Sequence, residues 1–399
     1  MKILFIGHGL NFGGASESLY ILINGLLQFG YTVKVVVPIV DDPAAKLRLE
    51  NLGVPVTIID CGQFHSNQAG RTPFYRLPLD IVKFYRNKSR LIEYIRRNSF
   101  DVVHLNSSVL AHLLKPIKKS KATNIIFIHI RELLSNQYDP YFIGTTLIKN
   151  INQWADRVIC ISENEAARLK QNANISVVYN PFDFNPGEIV ASSANHITEK
   201  FKVLMMGQFH QGKGQIDFLR AIRLFIDNTP ELAVQCSFVL LGYMKRNKSG
   251  FLRRLKSLLK KSYEQQFFEV LRELKLENLV EIIPYKKDIK SELESASIVV
   301  RTSISGDPWG RDIIESMSHG KAIIATGTYA GFVRPGINGE LVAPCNPIEI
   351  AEALKKIVPD NIERYGKNSL DLATQLFNAD TYAKKISELY IKVLNEDRI

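Results

Sequence analysis

The segment KILFIGHGLNFGGASESLYILINGLLQFGYTVKVVVP, residues 2–38, carries the pattern that decides the fold. Residues 2–6 and 31–38 are apolar runs rich in β-branched residues, which is typical of buried strands. Between them, apolar residues recur at helical spacing over residues 16–30, and Gly30 ends the helix. Strand, helix and strand in this order predict two parallel strands joined by a crossover helix.

The same alternation continues along the chain, which has 399 residues. Four further apolar runs lie at 54–60, 100–107, 124–130 and 156–162. A polar, aperiodic segment at 187–200 then reads as a linker. The alternation resumes after it, with apolar runs at 201–207, 235–242, 279–285, 297–303 and 321–326. This length exceeds what one hydrophobic core usually serves. We therefore predict an α/β protein with two doubly wound, Rossmann-like parallel-sheet domains. They span residues 1–190 and 191–379, and an amphipathic helix over 380–399 packs back on the first.

The composition excludes several classes of protein. No apolar run approaches the roughly 18 residues of a membrane-spanning helix, and the first residues lack the small-residue cleavage site of a signal peptide. The four cysteines are scattered without metal or disulfide spacing, so we expect reduced thiols in a cytoplasmic protein. The formal net charge of +11 predicts an anionic partner, such as a nucleotide, a nucleic acid or a membrane surface.

The loops after the strands are the expected ligand sites, because open parallel sheets bind ligands at the carboxyl ends of their strands. The first loop, GHGLNFGGA at 7–15, departs from the dinucleotide-binding fingerprint. Phe12 stands where the third glycine would be, and the second strand ends in Pro38 rather than an acid. Gly13 and Gly14 either form a tight turn chosen for packing or let backbone amides approach an anionic ligand at a helix start.

A second loop, GQFHQGKGQ at 207–215, precedes a helix of the second domain. Lys213 is flanked by glycines in this loop. Its flexible ammonium group is either solvated or placed beside the helix N-terminus, where it suits a diphosphate.

The third loop belongs to DPWGRDIIE, residues 307–315, which has a carboxylate at each end. Asp307 follows the strand predicted at 297–303, and Glu315 lies in a helix that Gly320 ends. A carboxylate can accept hydrogen bonds from two vicinal hydroxyls, and the helix start between the two acids offers amides to a phosphate. One loop could therefore hold a sugar, a phosphate and a ribose, which are the parts of a nucleotide sugar.

Together with SMSHGKAIIATGTYAGFVRPGINGELVAP at 316–344, this loop resembles the signature of glycosyltransferase family 4, whose members are retaining enzymes of the GT-B fold. The resemblance covers nearly the whole chain. It also takes in Gly13 and Gly14, DVVHLNS at 101–107, HIRE at 129–132, VICISE at 158–163, YNPFD at 179–183 and KG at 213–214. It implies two domains that face each other across a cleft.

The resemblance also implies roles for particular residues. The implied donor-binding residues are Gly13, Gly14, Gln208, Lys213, Arg311, Ile314 and Glu315. In the family the glycines contact the donor phosphates, the lysine holds the diphosphate, and the second acid of the loop holds the ribose. The first acid touches the donor sugar, and a histidine lies near that sugar and the acceptor. The implied catalytic residues are therefore Lys213, Asp307 and His129.

Three positions depart from the family pattern. Gln208 stands where the family usually has arginine, and Arg311 is a candidate to supply the missing charge. Asp307 replaces the usual glutamate, which shortens the reach of the carboxylate by one methylene. TYAGFV at 328–333 lacks the usual acid. Two further residues of the HIRE motif, Arg131 and Glu132, either pair with each other or line the site.

We predict transfer of a sugar from a nucleotide diphosphate donor to a glycan or lipid-linked acceptor hydroxyl, with retention at the anomeric carbon, in polysaccharide or other glycoconjugate biosynthesis. The resemblance implies that no metal is needed, and the sequence has no metal-ligand spacing, so we expect no cofactor. Two alternatives are a nucleotide-sugar epimerase of the same fold and a basic nucleic-acid-binding protein. The basic residues are not interleaved with aromatic residues or set on a recognition motif, so we expect no nucleic acid as partner.

The segment KRNKSGFLRRLKSLLKK, residues 245–261, is strongly basic and contains no acid. Its apolar residues from Phe251 onward fall on one helical face. It is either a surface helix with solvated charges or an amphipathic helix that lies on an anionic membrane. The second interpretation suits an enzyme with a lipid-linked acceptor and predicts peripheral attachment to the inner face of the membrane.

Overall fold

The structure, a computed structural model, describes residues 1–11, 13–65, 76–132, 134, 142–169, 174–184, 200–243, 261–286 and 288–396. The chain divides into two compact units, Met1–Asp183 together with Phe377–Ile399, and Phe184–Leu376. The basic segment predicted to bind a membrane, residues 245–261, lies outside the described ranges except for its last residue.

The first unit is built on a seven-stranded sheet in which each neighbouring pair of strands is parallel. Its strands are β1 (Lys2–Ile6), β2 (Thr32–Val37), β3 (Val56–Ile58), β4 (Val102–Leu105), β5 (Ile125–Ile130), β6 (Arg157–Cys160) and β7 (Ile175–Val177). Its helices are α1 (Gly14–Gln28), α2 (Pro43–Glu50), α3 (Leu77–Asn98), α4 (Leu114–Ser120), α5 (Ile143–Trp154) and α6 (Glu163–Ala166), with 3-10 turns at Ser108–Leu113 and Ala167–Leu169. The central strands are apolar along their length because helices cover both faces of the sheet.

The second unit repeats this plan with a six-stranded parallel sheet. Its strands are β8 (Phe201–Met206), β9 (Cys236–Tyr243), β10 (Val280–Pro284), β11 (Ile298–Arg301), β12 (Ala322–Thr326) and β13 (Gly339–Val342). Its helices are α7 (Gln215–Asn228), α8 (Pro230–Ala233), α9 (Tyr263–Glu273), α10 (Lys290–Ser295), α11 (Arg311–Ser318), α12 (Pro347–Ile357) and α13 (Ile362–Leu376), with a 3-10 turn at Gln211–Lys213. The predicted α/β class with two doubly wound parallel sheets is confirmed.

The order of the strands sets where each unit can bind a ligand. The first sheet runs β3-β2-β1-β4-β5-β6-β7 and the second runs β10-β9-β8-β11-β12-β13. The direction of winding therefore reverses between β1 and β4, and again between β8 and β11. Ligands of such sheets bind at the carboxyl ends of the strands on either side of this switch. In the second unit those two strands lead into the Lys213 loop and the Asp307 loop, which the topology thus makes neighbours.

The last helix, α14 (Ala379–Glu396), belongs to the first unit and packs on α1. The two helices touch closely at Gly25, where an added Cβ would lie 2.4 Å from the Cβ of Ala383. Tyr390 of α14 places its hydroxyl 2.5 Å from Nδ1 of His104, which is buried in β4. Among the described residues, no helix combines the length and the apolar character needed to cross a bilayer.

Candidate functional site

Thr302, the first residue after β11, links the Lys213 loop and the Asp307 loop of the second unit by hydrogen bonds. Its hydroxyl lies 2.9 Å from the carbonyl oxygen of Lys213 and 3.0 Å from that of Gly214. Gly214 has φ +72°, and an added Cβ would lie 2.0 Å from the carbonyl oxygen of Thr302. Only glycine permits both the left-handed backbone and this approach. The loop that carries Lys213 is therefore held against the loop that leads to Asp307.

Lys213 ends the short 3-10 turn before α7. The turn is capped by His210, whose Nδ1 accepts a hydrogen bond of 2.9 Å from the amide of Gly212. The aliphatic part of the lysine packs on Gly207, where an added Cβ would lie 3.7 Å from the lysine Cδ. The charge of Lys213 lowers the pKa of Asp307 and of Asp312, although these are not the largest effects on either group. The ammonium group thus acts on the carboxylates of the neighbouring loop.

Gln208 lies in the same loop with its side chain exposed. Its carbonyl oxygen accepts a hydrogen bond of 3.0 Å from the side chain of Gln215, which is buried. Gln215 in turn accepts one of 3.0 Å from the hydroxyl of Tyr263. These bonds fix the backbone at Gln208 and leave its amide side chain available to a ligand.

A buried arginine that the motifs did not indicate organises the Asp307 loop. Arg301, at the end of β11, donates from Nη1 to both carboxylate oxygens of Asp312 at 2.6 Å. It also donates from Nη2 to the carboxylate of Asp307 at 3.1 Å and from Nε to the Asp307 carbonyl at 2.9 Å. Gly310 is needed beside this network, because an added Cβ would lie 2.8 Å from Nη1. The position of Asp307 is therefore set by Arg301.

The pKa values of the two carboxylates bound to Arg301 are shifted in opposite directions. Burial raises the pKa of Asp307, and the nearby Arg301 compensates only in part. Burial would also raise the pKa of Asp312, but the charges of Arg301 and Lys213 outweigh it and lower that pKa. Asp312 is therefore the structural partner of the arginine, while Asp307 is the carboxylate whose ionised form is less well compensated.

The aromatic residue of the same loop serves packing. Trp309 is buried, and its ring meets that of Phe332 edge to face at a centroid distance of 5.0 Å. Phe332 in turn meets Tyr329 at 5.6 Å. These contacts anchor the loop on the residues that follow β12.

Glu315 and Arg311, both implied to bind the donor, form an ion pair with each other one turn apart on α11, at 2.5 Å. Ile314 between them has a buried side chain, so a ligand can meet only its backbone. The second acid of the loop is thus oriented by a neighbouring cation, and its side chain is mostly buried, with 13% exposed. Sequence reasoning named all three residues but not the pairing.

The glycine pair of the first unit lies at the N-terminus of α1. Gly13 is the residue before the helix and has φ −76°, so a left-handed backbone is not what requires glycine there. An added Cβ would instead lie 2.8 Å from the side-chain oxygen of Asn11, which accepts a hydrogen bond of 2.7 Å from the Gly13 amide. Gly14 is the first residue of the helix, where backbone N–H groups lack partners within the helix.

His129 is fully buried in β5, on the face of the sheet that α14 covers. Its Nδ1 lies 3.4 Å from Nη2 of Arg131, and its ring centroid lies 5.6 Å from that of His104. Burial, and then the charge of Arg131, lowers the pKa of His129 well below its usual value. The imidazole is therefore neutral, and its predicted role near the sugar stays a prediction.

Arg131 and Glu132 bind separate partners. The guanidinium donates to Asn106 at 2.9 Å, to Asn180 at 2.7 Å and to the hydroxyl of Tyr382 at 3.2 Å. These hydrogen bonds connect the end of β5 with three other parts of the first unit: the loop after β4, the loop after β7 and helix α14. One of the two interpretations from sequence was an ion pair between Arg131 and Glu132. These two residues do not pair with each other in the structure.

Glu132 is held by the two serines that follow β4. Ser107 donates to its Oε1 at 2.7 Å, and Ser108 donates to the same oxygen. His8, after β1, lies within electrostatic range: burial lowers its pKa, and Glu132 is the charge that most opposes this. Among the described residues, Nδ1 of His8 is buried without a hydrogen-bond partner. The carboxyl ends of β1, β4 and β5 thus bring together a carboxylate, hydroxyls and an imidazole that sequence reasoning did not group.

Metal ligands were not expected from the sequence. Within the described ranges, no group of three or more histidine, cysteine, aspartate or glutamate side chains is placed to hold a metal ion.

The whole fold is similar to that of solved glycosyltransferases. HepE of Anabaena, in complex with UDP and glucose, has a TM-score of 0.72 at 21% identity over 97% of this chain and 98% of that one. A glycosyltransferase from Rickettsia africae ESF-5 has a TM-score of 0.68 at 18% identity, covering 98% of each chain. The lipopolysaccharide outer core galactosyltransferase WaaB, in its apo form, has a TM-score of 0.70 at 15% identity, covering 98% of this chain and 99% of that one. This likeness confirms the predicted GT-B fold.

Two family profiles match the chain in succession. The one described as glycosyltransferase family 4 matches residues 12–185, and the one described as glycosyl transferases group 1 matches residues 189–369. The protein is therefore a glycosyltransferase and belongs to the family 4 group, as its motifs predicted. A comparison with curated protein sequences gave no match.

Proposed function

We propose that this glycosyltransferase transfers a sugar from a nucleoside diphosphate donor to an acceptor hydroxyl, with retention at the anomeric carbon. The observation that carries the proposal is the junction at Thr302, which holds the Lys213 loop and the Asp307 loop together at the switch point of the second sheet. A cation, two carboxylates and a helix N-terminus then lie at the edge where such sheets bind nucleotides.

Each of these groups has a part of the donor that suits it. The amides at the start of α11 and the ammonium of Lys213 suit the diphosphate, on which negative charge develops as the bond to the sugar breaks. The carboxylate of Glu315 suits the two ribose hydroxyls, since a carboxylate accepts two hydrogen bonds at once. Asp307 suits a hydroxyl of the donor sugar. Arg311 supplies the positive charge that Gln208 cannot.

The donor nucleotide is proposed from the structural relatives. HepE of Anabaena has been solved with UDP and glucose, so a uridine diphosphate sugar is the first class of donor to test. The departures at Gln208 and Asp307 alter contacts to the diphosphate and to the sugar, so other donors belong in the same test. We propose that no metal ion takes part, because Lys213 and the helix amides neutralise the diphosphate.

The acceptor is proposed to meet the first unit at Glu132. Two serines hold one oxygen of this carboxylate, which leaves Oε2 in position to accept a hydrogen bond from a sugar hydroxyl. The neutral imidazole of His8 offers a second polar contact at the same edge of the sheet. The proton of the reacting hydroxyl passes to the departing diphosphate, so Glu132 holds the acceptor rather than deprotonating it. A glycan or lipid-linked acceptor, on the cytoplasmic side of a membrane, fits this scheme.

A donor panel tests the proposal directly. The purified protein is incubated with UDP-, GDP- and ADP-linked sugars, with and without chelator, and release of nucleoside diphosphate is followed. Hydrolysis of one donor, unaffected by chelator, is the expected result. The anomeric configuration of a transferred sugar, read by NMR, decides between retention and inversion. If no donor is hydrolysed and no nucleoside diphosphate binds in calorimetry, the proposal fails, and recovery of an epimerised sugar would favour an epimerase instead.

A further inference from the structure

The first half of helix α3 exposes large apolar side chains. Leu79 is 59% exposed, Val82 62% and Tyr85 64%. The helix is anchored by its second half, where Leu91 and Ile95 are buried in the core of the first unit. The exposed side chains are three positions apart, so they lie along one side of the helix, away from the anchored side. Single exposed apolar residues are ordinary, but a continuous stripe marks a surface that binds something.

Basic side chains accompany this stripe. Helix α3 carries six basic and two acidic residues. Within the described part of the chain, Arg86 and Arg90 form no ion pair, and both are exposed. The ammonium of Lys88 lies 4.5 Å from the ring centroid of Tyr85, so a cation lies directly beside this exposed aromatic ring. The stripe therefore combines apolar contact with positive charge.

The neighbouring helix extends the positive charge. Helix α4 follows in contact with α3, and Arg96 of α3 donates to the carbonyl of Ser120 at 2.9 Å. Helix α4 contains no acid, and its Lys115 and Lys119 are exposed. The contact of Arg96 with Ser120 lies in the last turn of α3, beyond the stripe, so α4 adds positive charge at the far end of the helix and not at the stripe itself.

We propose that the α3 face, defined as Leu79, Val82, Tyr85, Arg86 and Arg90, binds an anionic lipid surface. The apolar and aromatic side chains would enter the boundary between head groups and acyl chains, while the arginines remain at the lipid phosphates. Charge favours this occupant over a second copy of the chain, because two copies would bring like charges together. A nucleic acid would pair with the arginines but would leave Leu79 and Val82 in water. This surface is independent of residues 245–261 and of the donor chemistry proposed above.

The test is sedimentation of the full chain with vesicles. Vesicles of phosphatidylcholine mixed with phosphatidylglycerol are compared with vesicles of phosphatidylcholine alone, at low and at high salt. Two variants remove the two parts of the face separately: V82S/Y85S and R86E/R90E. Matched controls are I348S, which replaces an isoleucine 65% exposed on α12, and K384E/K385E, which reverses two exposed charges on α14. Thermal unfolding of every variant confirms that it folds.

The wild type is expected to sediment with the anionic vesicles at low salt and not with phosphatidylcholine alone. Each α3 variant should lower the partition coefficient by about tenfold or more, while both controls match the wild type. A wild type that stays in the supernatant overturns the proposal. So do α3 variants that sediment like the controls, since another segment would then bind the lipid. A wild-type dimer in lipid-free buffer that V82S/Y85S converts to a monomer would assign the face to self-association instead.

Discussion

The guanidinium of Arg311 lies 2.5 Å from the carboxylate of Glu315, one turn further along helix α11. An ion pair that is partly exposed adds little to the stability of a fold. Its effect here is orientation, because the guanidinium holds the carboxylate of Glu315 in a fixed position on the helix. A diphosphate that approaches the start of α11 would meet the same arginine. The group expected to bind the ribose and the group expected to bind the phosphate thus lie in contact, one helix turn apart.

Replacing this carboxylate should weaken nucleotide binding. Glu315→Ala removes a charged acceptor for two hydroxyls, which is worth about 1.5–3 kcal/mol. Calorimetry with UDP measures the change in Kd without any need for turnover. Glu294→Ala is a matched control, because Glu294 also pairs with a cation four residues away, Lys290, at 3.9 Å on α10. An affinity for UDP that is the same in Glu315→Ala and in the wild type would remove Glu315 from the donor site.

Loss of the loop lysine should affect turnover most. Lys213→Ala is expected to lower kcat/KM for donor hydrolysis by roughly a hundredfold or more, the scale of one preorganised charge stabiliser. Lys290→Ala, which removes an exposed lysine of the same unit, controls for net charge. Because the charge of Lys213 lowers the pKa of Asp312, the pH profile of the variant should also shift upward on its acid side. Activity within about threefold of the wild type would show that this ammonium is merely solvated.

The two carboxylates on Arg301 should contribute oppositely to stability. The pKa of Asp312 is lowered in the folded protein, so its ionised form stabilises the fold above the unfolded pKa and this contribution is lost in acid. The pKa of Asp307 is raised, so its ionised form costs stability at neutral pH and the cost disappears as the pH falls. Asp312→Asn should therefore destabilise by about 3–5 kcal/mol, as for a broken buried pair. Asp307→Asn should stay within about 1 kcal/mol.

Urea unfolding at neutral pH compares these two variants, and donor turnover gives a second measurement. Asp307→Asn should retain affinity for UDP and lose turnover, because its expected contact is with the sugar. The opposite order of stabilities would show that Asp307, not Asp312, is the structural partner of Arg301. An equal loss of UDP binding and of turnover would place Asp307 at the nucleotide.

Sequence patterns predicted the strands well because each central strand is buried on both faces and must be apolar. Local pattern also found the Lys213 and Asp307 loops, since glycines and charges after a strand mark its carboxyl end. It did not find Arg301, whose partners Asp307 and Asp312 become neighbours only through the loop that follows β11. One signal was available: a charged residue in an otherwise apolar, buried strand needs a partner.

The pairing of Arg131 and Glu132 was left open for a related reason. Consecutive residues at the end of a strand point to opposite faces of the sheet, so an ion pair between them is disfavoured. Apart from the 3.4 Å contact between Arg131 and His129, two residues apart, their partners lie 24 to 251 residues away along the chain. Such distances are set by tertiary structure and leave no trace in local spacing. The same holds for His8, which meets the charge of Glu132 through the order of strands in the sheet.

The carboxylate of Glu132 yields a prediction about the acceptor. Glu132→Gln keeps the shape and one oxygen acceptor but removes the charge, so a hydroxyl bound there is held less tightly. Transfer to sugar acceptors should fall by roughly tenfold to a hundredfold through a higher KM for the acceptor. Hydrolysis of the donor by water should change by less than about threefold, because Glu132 is not among the residues proposed to bind the donor.

Alkyl glycosides serve as the acceptors, and donor hydrolysis is measured in the same preparations. Glu93→Gln is the matched control, since Glu93 is a carboxylate of the first unit that pairs with Arg97 at 2.7 Å on the surface of α3. Removing both serine hydroxyls, in S107A/S108A, should reproduce part of the effect, because Oε1 of Glu132 then loses the two donors that orient it. Equal losses of transfer and of hydrolysis in Glu132→Gln would mean that the carboxylate supports the fold of the first unit and does not bind the acceptor.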